Sequence, residues 1–171
     1  YSINHPINRS SEDDAVIGTF YGIPIPKGGG GGLQFIVDVS GSMSGGRLNK
    51  LKDELKKMLN ELPDGTTLSL STFNSRTNCF KDCELFSLNP QTRLETISYV
   101  DRLYAGGGTR PWDALNKAMN NQDGRSIFFM TDGQPNDWNG CSRYSPSACI
   151  ASQYTEKNQK REEKRRYYGL Y

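Results

Sequence analysis

Leu33-Gln34-Phe35-Ile36-Val37-Asp38-Val39-Ser40-Gly41-Ser42-Met43 is the stretch that decides the fold of this chain. Residues 33–37 are apolar at nearly every position, the pattern of a strand in the middle of a sheet covered on both faces. The character then changes at once. One carboxylate, Asp38, and two hydroxyls, Ser40 and Ser42, fall at alternating positions on the turn that leaves the strand. Oxygen-only donors on a tight loop suit a small, hard divalent cation such as Mg²⁺, which favours octahedral oxygen coordination and keeps some of its water. One carboxylate leaves much of such an ion's charge uncompensated, which is a reason to expect an acidic partner.

Working outward towards the C-terminus, strands and helices alternate. Leu48, Leu51, Leu55, Met58, Leu59 and Leu62 recur at three- and four-residue steps and predict an amphipathic helix that stops before Pro63-Asp64-Gly65. Residues 67–73 alternate as a strand, and residues 83–88 predict a short antiparallel companion. Leu94, Ile97, Val100 and Leu103 mark a second helix, broken by Gly106-Gly107-Gly108. Pro111 sits where a proline at the first helical position would open a third helix carrying Ala114, Leu115, Ala118 and Met119. Residues 126–130 form another apolar strand, ending at Thr131-Asp132-Gly133. This pattern predicts an α/β fold: a Rossmann-like, doubly wound, mainly parallel central sheet with helices on both faces. Ligands in such folds bind beyond the carboxyl ends of the strands, where strand order reverses. Asp38 and Asp132 both fall at such ends and Thr109 falls in a loop that opens a helix, so the three can meet at one rim.

The flanks are less regular. Residues 1–27 read as an extended N-terminal arm, with a candidate strand at 15–21 and proline-punctuated chain at Pro24 and Pro26. Residues 28–32 are an unbroken glycine run and read as a flexible linker, which leaves 33–171 as the main domain. The chain starts at Tyr1 without a charged-then-apolar leader, as in a processed chain or a fragment. Asn8-Arg9-Ser10 matches a glycosylation sequon, a short pattern that also occurs by chance. Residues 134–147 are rich in Asn, Ser, Gly and Pro, and residues 148–166 read as a charged helix. The pairs Glu156 with Lys160 and Glu162 with Arg166 are spaced for helix ion pairs. That charge run reads as a solvated helix face rather than a nucleic-acid patch. Residues 167–171 can close as a last short strand.

Composition narrows the function further. The 171 residues fit one domain, and 35% hydrophobic residues with 18 Gly and 8 Pro describe a modest core with generous loops. A net charge of +2 gives no reason to expect nucleic acid, and no run is long enough to span a bilayer as a helix. Cys79, Cys83, Cys141 and Cys149 form two local pairs, open to disulfides in an oxidising compartment or to four free thiols in the cytosol. Their C-x3-C and C-x7-C spacings, with His5 remote as the sole histidine, disfavour zinc. Phosphate-cradle and G-x-S-x-G nucleophile patterns are both missing, and one histidine leaves little for general-base chemistry. The chain therefore reads as non-enzymatic. A Mg²⁺-dependent hydrolase using Asp38 and Asp132 is the less favoured class, because neutral hydroxyls supply few of the bases it needs.

D-V-S-G-S-M, then G-G-G-T, then T-D-G, in that order on an α/β pattern, resembles a von Willebrand factor type A (vWA) domain with its metal-ion-dependent adhesion site (MIDAS). The likeness covers roughly residues 33–135. It implies a divalent ion, Mg²⁺ or alternatively Ca²⁺ or Mn²⁺, held by Asp38, Ser40, Ser42, Thr109 and Asp132, some directly and some through water. It implies protein–protein interaction in cell adhesion or assembly, in which an Asp or Glu of a protein ligand completes the ion's coordination. The location expected is extracellular or cell surface with disulfide bonds. The alternative is a cytoplasmic vWA assembly subunit working with an ATPase. Arg110 stands where that family commonly has Asp or Asn, and it either pairs with the incoming carboxylate, faces solvent or repels the cation. Trp138 and Tyr144 are expected at the partner-binding rim, and Trp112 either there or in the core. The C-terminal side is short for the family, so the expectation is a truncated or variant end. Residues 167–171 would supply one replacement strand and residues 15–25 another, or a partner would cover the open edge.

Overall fold

The computed structural model describes residues 2–3, 15–27, 31–121, 123–132 and 166–170. The elements in chain order are β1 (Ser2–Ile3), β2 (Val16–Phe20), β3 (Ile23–Pro26), β4 (Gly32–Asp38), α1 (Gly46–Glu61), β5 (Thr67–Phe73), β6 (Thr77–Cys79), β7 (Phe86–Ser87), α2 (Pro90–Asp101), α3 (Trp112–Asn120), β8 (Gly124–Met130) and β9 (Arg166–Leu170). The main sheet runs β1-β9-β8-β4-β5-β6, with β7 also paired to β5. Its centre is parallel, β4 lying between β5 and β8, and β8 beside β9. β6 and β7 run antiparallel to β5, and β1 antiparallel to β9. The sheet is thus mixed, with a parallel middle, as the alternating pattern predicts.

Every residue of β4 is buried because both of its faces are covered. Leu33, Phe35 and Val37 face one way, with Leu68, Leu70, Phe128 and Tyr168 from neighbouring strands, and meet Leu51, Leu55, Met58 and Leu59 of α1. Phe128 lies stacked between Phe35 and Tyr168, at 4.9 and 4.6 Å between ring centroids. On the opposite face Ile36, Phe73, Ile127 and Phe129 pack with Ala114, Leu115, Ala118 and Met119 of α3. Trp112 is half-buried against this second cluster and so belongs with the core.

Local differences from the sequence reading have physical causes. Residues 15–25 do not add a strand to the main sheet. β2 and β3 pair with each other around Tyr21 and Gly22, both at positive φ, the geometry of a tight hairpin turn. The hairpin is held on α1 by Glu61 Oε2, which accepts from Thr19 N at 2.8 Å, and by Glu54 Oε2, which accepts from Tyr21 N at 3.0 Å. Its Phe20, Ile23 and Ile25 join the main core. β4 begins at Gly32, inside the glycine run.

In α2 only Val100 of the predicted stripe is fully buried. Leu94 is exposed, and Leu103 lies beyond the last turn. That helix is set by its start instead: Asn89 Oδ1 accepts from Thr92 N while Thr92 Oγ1 accepts from Asn89 N, a reciprocal cap with Pro90 in the first turn. Pro111 is the N-cap of α3 rather than its first residue. The strand predicted over 83–88 is confined to β7, and β6 is an additional strand before it. Between them a tight left-handed turn, with Lys81, Asp82 and Cys83 at positive φ, brings the sulfurs of Cys79 and Cys83 together, with Cα atoms 4.7 Å apart. The last strand appears as β9, parallel to β8. The charged helix read at 148–166, the Cys141–Cys149 pair, Trp138 and Tyr144 lie outside the described residues.

Candidate functional site

Asp38 is the last residue of β4 and is fully buried. Its Oδ1 accepts from Ser40 N at 2.7 Å, which folds the next two residues back over the strand end. Its Oδ2 accepts from Thr131 Oγ1 at 2.7 Å, a bond that ties the end of β4 to the end of β8. Burial pushes the Asp38 carboxyl above its ordinary range. The bonds from Ser40 and Thr131 oppose that, and neighbouring Asp132 adds to it.

From this anchor the polar side chains run outward. Ser40 Oγ and Ser42 Oγ are 3.1 Å apart, and Ser42 Oγ donates to Asp132 Oδ1 at 2.9 Å. Residues 41–43 make one 3₁₀ turn that carries Ser42 over Ser40 and buries Met43 beneath. The other oxygen of Asp132 accepts from Arg47 Nη1 at 2.9 Å, and the same guanidinium nitrogen donates to Ser42 O at 3.2 Å.

The loop between α2 and α3 closes the third side. Gly41 N donates to Gly107 O at 3.0 Å, and Gly106 N donates to Val39 O at 2.9 Å. Gly107 suits this approach because it holds φ +77°, a conformation side chains rarely adopt; a Cβ on Gly41 would only touch Gly107 O, at 3.4 Å. Thr109, buried, follows on the same loop. Gly108 N donates to Ser75 Oγ at 2.7 Å and Arg110 N to Asn74 O at 2.9 Å, which pins the loop to the chain leaving β5.

The structure therefore brings Asp38, Ser40, Ser42 and Asp132 into one hydrogen-bonded set, with Thr109 on the loop laid against it. Arg110 is exposed at the edge of this rim. Among the described residues no three of His, Cys, Asp and Glu gather anywhere, so the donor set here is two carboxylates and hydroxyls. All of it is oxygen, the chemistry that fits a hard divalent cation and suits thiophilic metals poorly.

Two participants escaped the sequence reading. Thr131 has no signal of its own beside Asp132, although its hydroxyl links the two strand ends. Arg47 left a faint signal: a cation in the first turn of a helix opposes the helix dipole, so its position there needs a local reason.

Residues 33–156 match the profile of the von Willebrand factor type A domain. The chain belongs to that family. vWA domains typically mediate protein–protein interaction. Inter-alpha-trypsin inhibitor heavy chain H1 of Mesocricetus auratus is 30% identical over 120 residues, covering 61% of this chain and 13% of that protein. Heavy chain H3 of Mus musculus is 26% identical over 157 residues, covering 80% of this chain and 17% of that protein. This chain thus spans a small part of the curated relatives it matches. Among solved structures, a von Willebrand factor type A protein from Catenulispora acidiphila superposes with a TM-score of 0.60 at 19% identity, covering 78% of this chain and 32% of that one. The manganese-loaded TRAP protein of Plasmodium vivax superposes with 0.55 at 22% identity, covering 81% and 56%. The α/β fold read from the sequence is that of these vWA neighbours.

Proposed function

We propose that this vWA domain is a metal-dependent protein-binding module for adhesion or assembly, in which Asp38, Ser40, Ser42, Thr109 and Asp132 hold a divalent cation. Mg²⁺ is the ion that an oxygen set with two carboxylates suits best, with Mn²⁺ or Ca²⁺ as substitutes. The observation that carries this reading is the run of hydrogen bonds from Ser40 through Ser42 to Asp132, anchored by Asp38 through Ser40 N and Thr131. These oxygens share their protons with one another, and a cation would replace those contacts with its own. When bound, the ion supplies an electrophile that a carboxylate from a partner completes. The manganese load of one fold neighbour agrees with a divalent ion in this fold.

The chain's own residues do the rest. Asp38 fixes the loop, the neutral hydroxyls add no further negative charge and leave the ion open to an outside acid, and Arg110 on the rim adds a donor for the incoming acid. Trp138 and Tyr144 supply partner contact area in the same proposal. The role is non-enzymatic, and the nearness of the Cys79 and Cys83 sulfurs agrees with an oxidising, extracellular or cell-surface setting.

Isothermal titration with Mg²⁺, Mn²⁺ and Ca²⁺, followed by capture of native-source proteins in Mg²⁺ against EDTA, tests the reading. Heat of binding that is lost in Asp38→Asn, with captured protein released by EDTA from the wild type alone, is the expected result. No heat with any of the three ions would sink it.

A further inference from the structure

Asn74, the first residue after β5, bonds to two arginine-bearing segments and lines a cleft with a third arginine, Arg102. Its N–H donates to Arg76 O and its Oδ1 accepts from Arg76 N, both at 3.0 Å. Its carbonyl accepts from Arg110 N. Its side chain also walls a cleft of about 240 Å³ together with Thr72, Asn78, Tyr99, Arg102 and Tyr104. The cleft is joined to the proposed cation site through the backbone at the end of β4. Val39, which lines the cleft, sits between Asp38 and Ser40 in the chain.

The charge here is one-sided. Arg47 and Arg93 each pair with a carboxylate, Asp132 and Asp64 respectively. Arg76, Arg102 and Arg110 are exposed and have no ion pair among the described residues. Among the described residues none of those lining the cleft is acidic. Tyr104 is 77% exposed at its mouth, and Asn78 is the middle residue of β6, the outermost strand on that side of the sheet. An edge strand offers backbone donors and acceptors to an extended chain. Guanidinium groups beside an aromatic wall offer forked donors to carboxylates.

We propose that this cleft is the second half of the partner site and selects an extended acidic peptide segment. One carboxylate of that segment goes to the cation, and further carboxylates, along the β6 edge, go to Arg76 and Arg102. The inference rests on the proposed cation-dependent function and names the class of partner it takes. Side chains at alternate positions of an extended peptide point the same way, so acids at every second residue reach one side of the cleft.

The test uses the full chain and two labelled peptides built on a Gly/Ser background, one with a single Asp and one with that Asp followed by two Glu at alternate positions. Binding is read by fluorescence anisotropy in Mg²⁺ and in EDTA. The three-acid peptide is expected to bind roughly fivefold tighter than the one-acid peptide in Mg²⁺. The double variant Arg76→Ala/Arg102→Ala should erase that preference, and Arg76→Lys/Arg102→Lys should keep part of it. Thermal midpoints check that both variants fold. A preference that survives the double alanine variant overturns the inference while leaving the cation reading intact. Tighter displacement by heparin or by single-stranded DNA than by the three-acid peptide also overturns it, in favour of a general polyanion site. Affinity of both peptides that is undiminished in EDTA removes the cation reading, and the inference that rests on it falls too. Failure of both peptides to bind wild type in Mg²⁺ overturns both.

Discussion

Arg47 donates to Asp132 Oδ2 at 2.9 Å across 85 residues of chain, on the carboxylate whose other oxygen accepts from Ser42. The guanidinium thus neutralises one of the two carboxylates of the proposed cation site, and its second bond, to Ser42 O, keeps it over the loop. A positive charge so close competes with a divalent ion. With Arg47 65% and Asp132 15% exposed at the side chain, the pair contributes about 0.2–1 kcal/mol. Arg47→Gln should therefore tighten Mg²⁺ binding by roughly two- to fivefold in calorimetry, and the gain should shrink as ionic strength rises. Unchanged or weaker binding would show that the guanidinium positions Asp132 for the ion instead of opposing it.

Bound ion should also appear as stability. At a free Mg²⁺ concentration about a hundred times the dissociation constant, linkage contributes about 2.7 kcal/mol, which for a chain of this size is roughly 5–10 °C in the thermal midpoint. Ser42→Ala and Thr109→Val should lose most of that shift. Asp38→Asn should lose it too, yet fold at least as well as wild type without metal, because it removes a buried charge while keeping an oxygen to accept from Ser40 N. A Mg²⁺-induced shift that persists in Asp38→Asn places the ion elsewhere.

Hydropathy carried the parts of this architecture that depend on burial alone. β4 and β8 are apolar because they lie inside the sheet, and α1 shows its stripe because Leu51, Leu55, Met58 and Leu59 face the core. Asp38 stood out as a carboxylate at the end of such a run. The hairpin was obscured by Pro24 and Pro26, which argue against a central strand. In a two-stranded sheet both strands are edges, so a missing N–H is tolerated, and Pro26 pairs with Val16 and Pro24 with Thr19. The links made by Arg47, Thr131 and Asn74 had no sequence signature of comparable strength. Each joins the rim across a long chain separation or through backbone atoms, and periodicity is blind to both.

Cys79 and Cys83 bear on where the domain works. If the protein matures in an oxidising compartment, peptide mapping without reductant should recover the two residues cross-linked, with the intact mass short by two hydrogens for that bond. Closing so small a ring contributes about 2 kcal/mol in the chain-entropy account. Lys81, Asp82 and Cys83 all hold positive φ, at roughly 1 kcal/mol each or more, and that opposes the gain. Reduction should therefore move the thermal midpoint by only a few degrees. Recovery of both as free thiols from the native source would favour a cytoplasmic assembly role.

Gly124 opens β8 against Gln34, and the pair reports on how the strand carrying Asp38 is seated. A Cβ at Gly124 would collide with Gln34 Nε2, and that nitrogen donates to Ala118 O at 3.1 Å in a site where Gln34 is 3% exposed. Gly124→Ala should push the amide off its acceptor and leave buried polar atoms unpaired, costing about 1–3 kcal/mol. In a Gln34→Ala background the obstruction is gone. The same change should then be neutral or stabilising by up to about 1 kcal/mol, because alanine restricts the unfolded chain. Urea denaturation of the four proteins in this cycle should give a coupling of at least about 1 kcal/mol. Additive effects would mean that β8 shifts away from β4 to admit the methyl group, and the Thr131–Asp38 bond at the far end of that strand pair would then be the next to test.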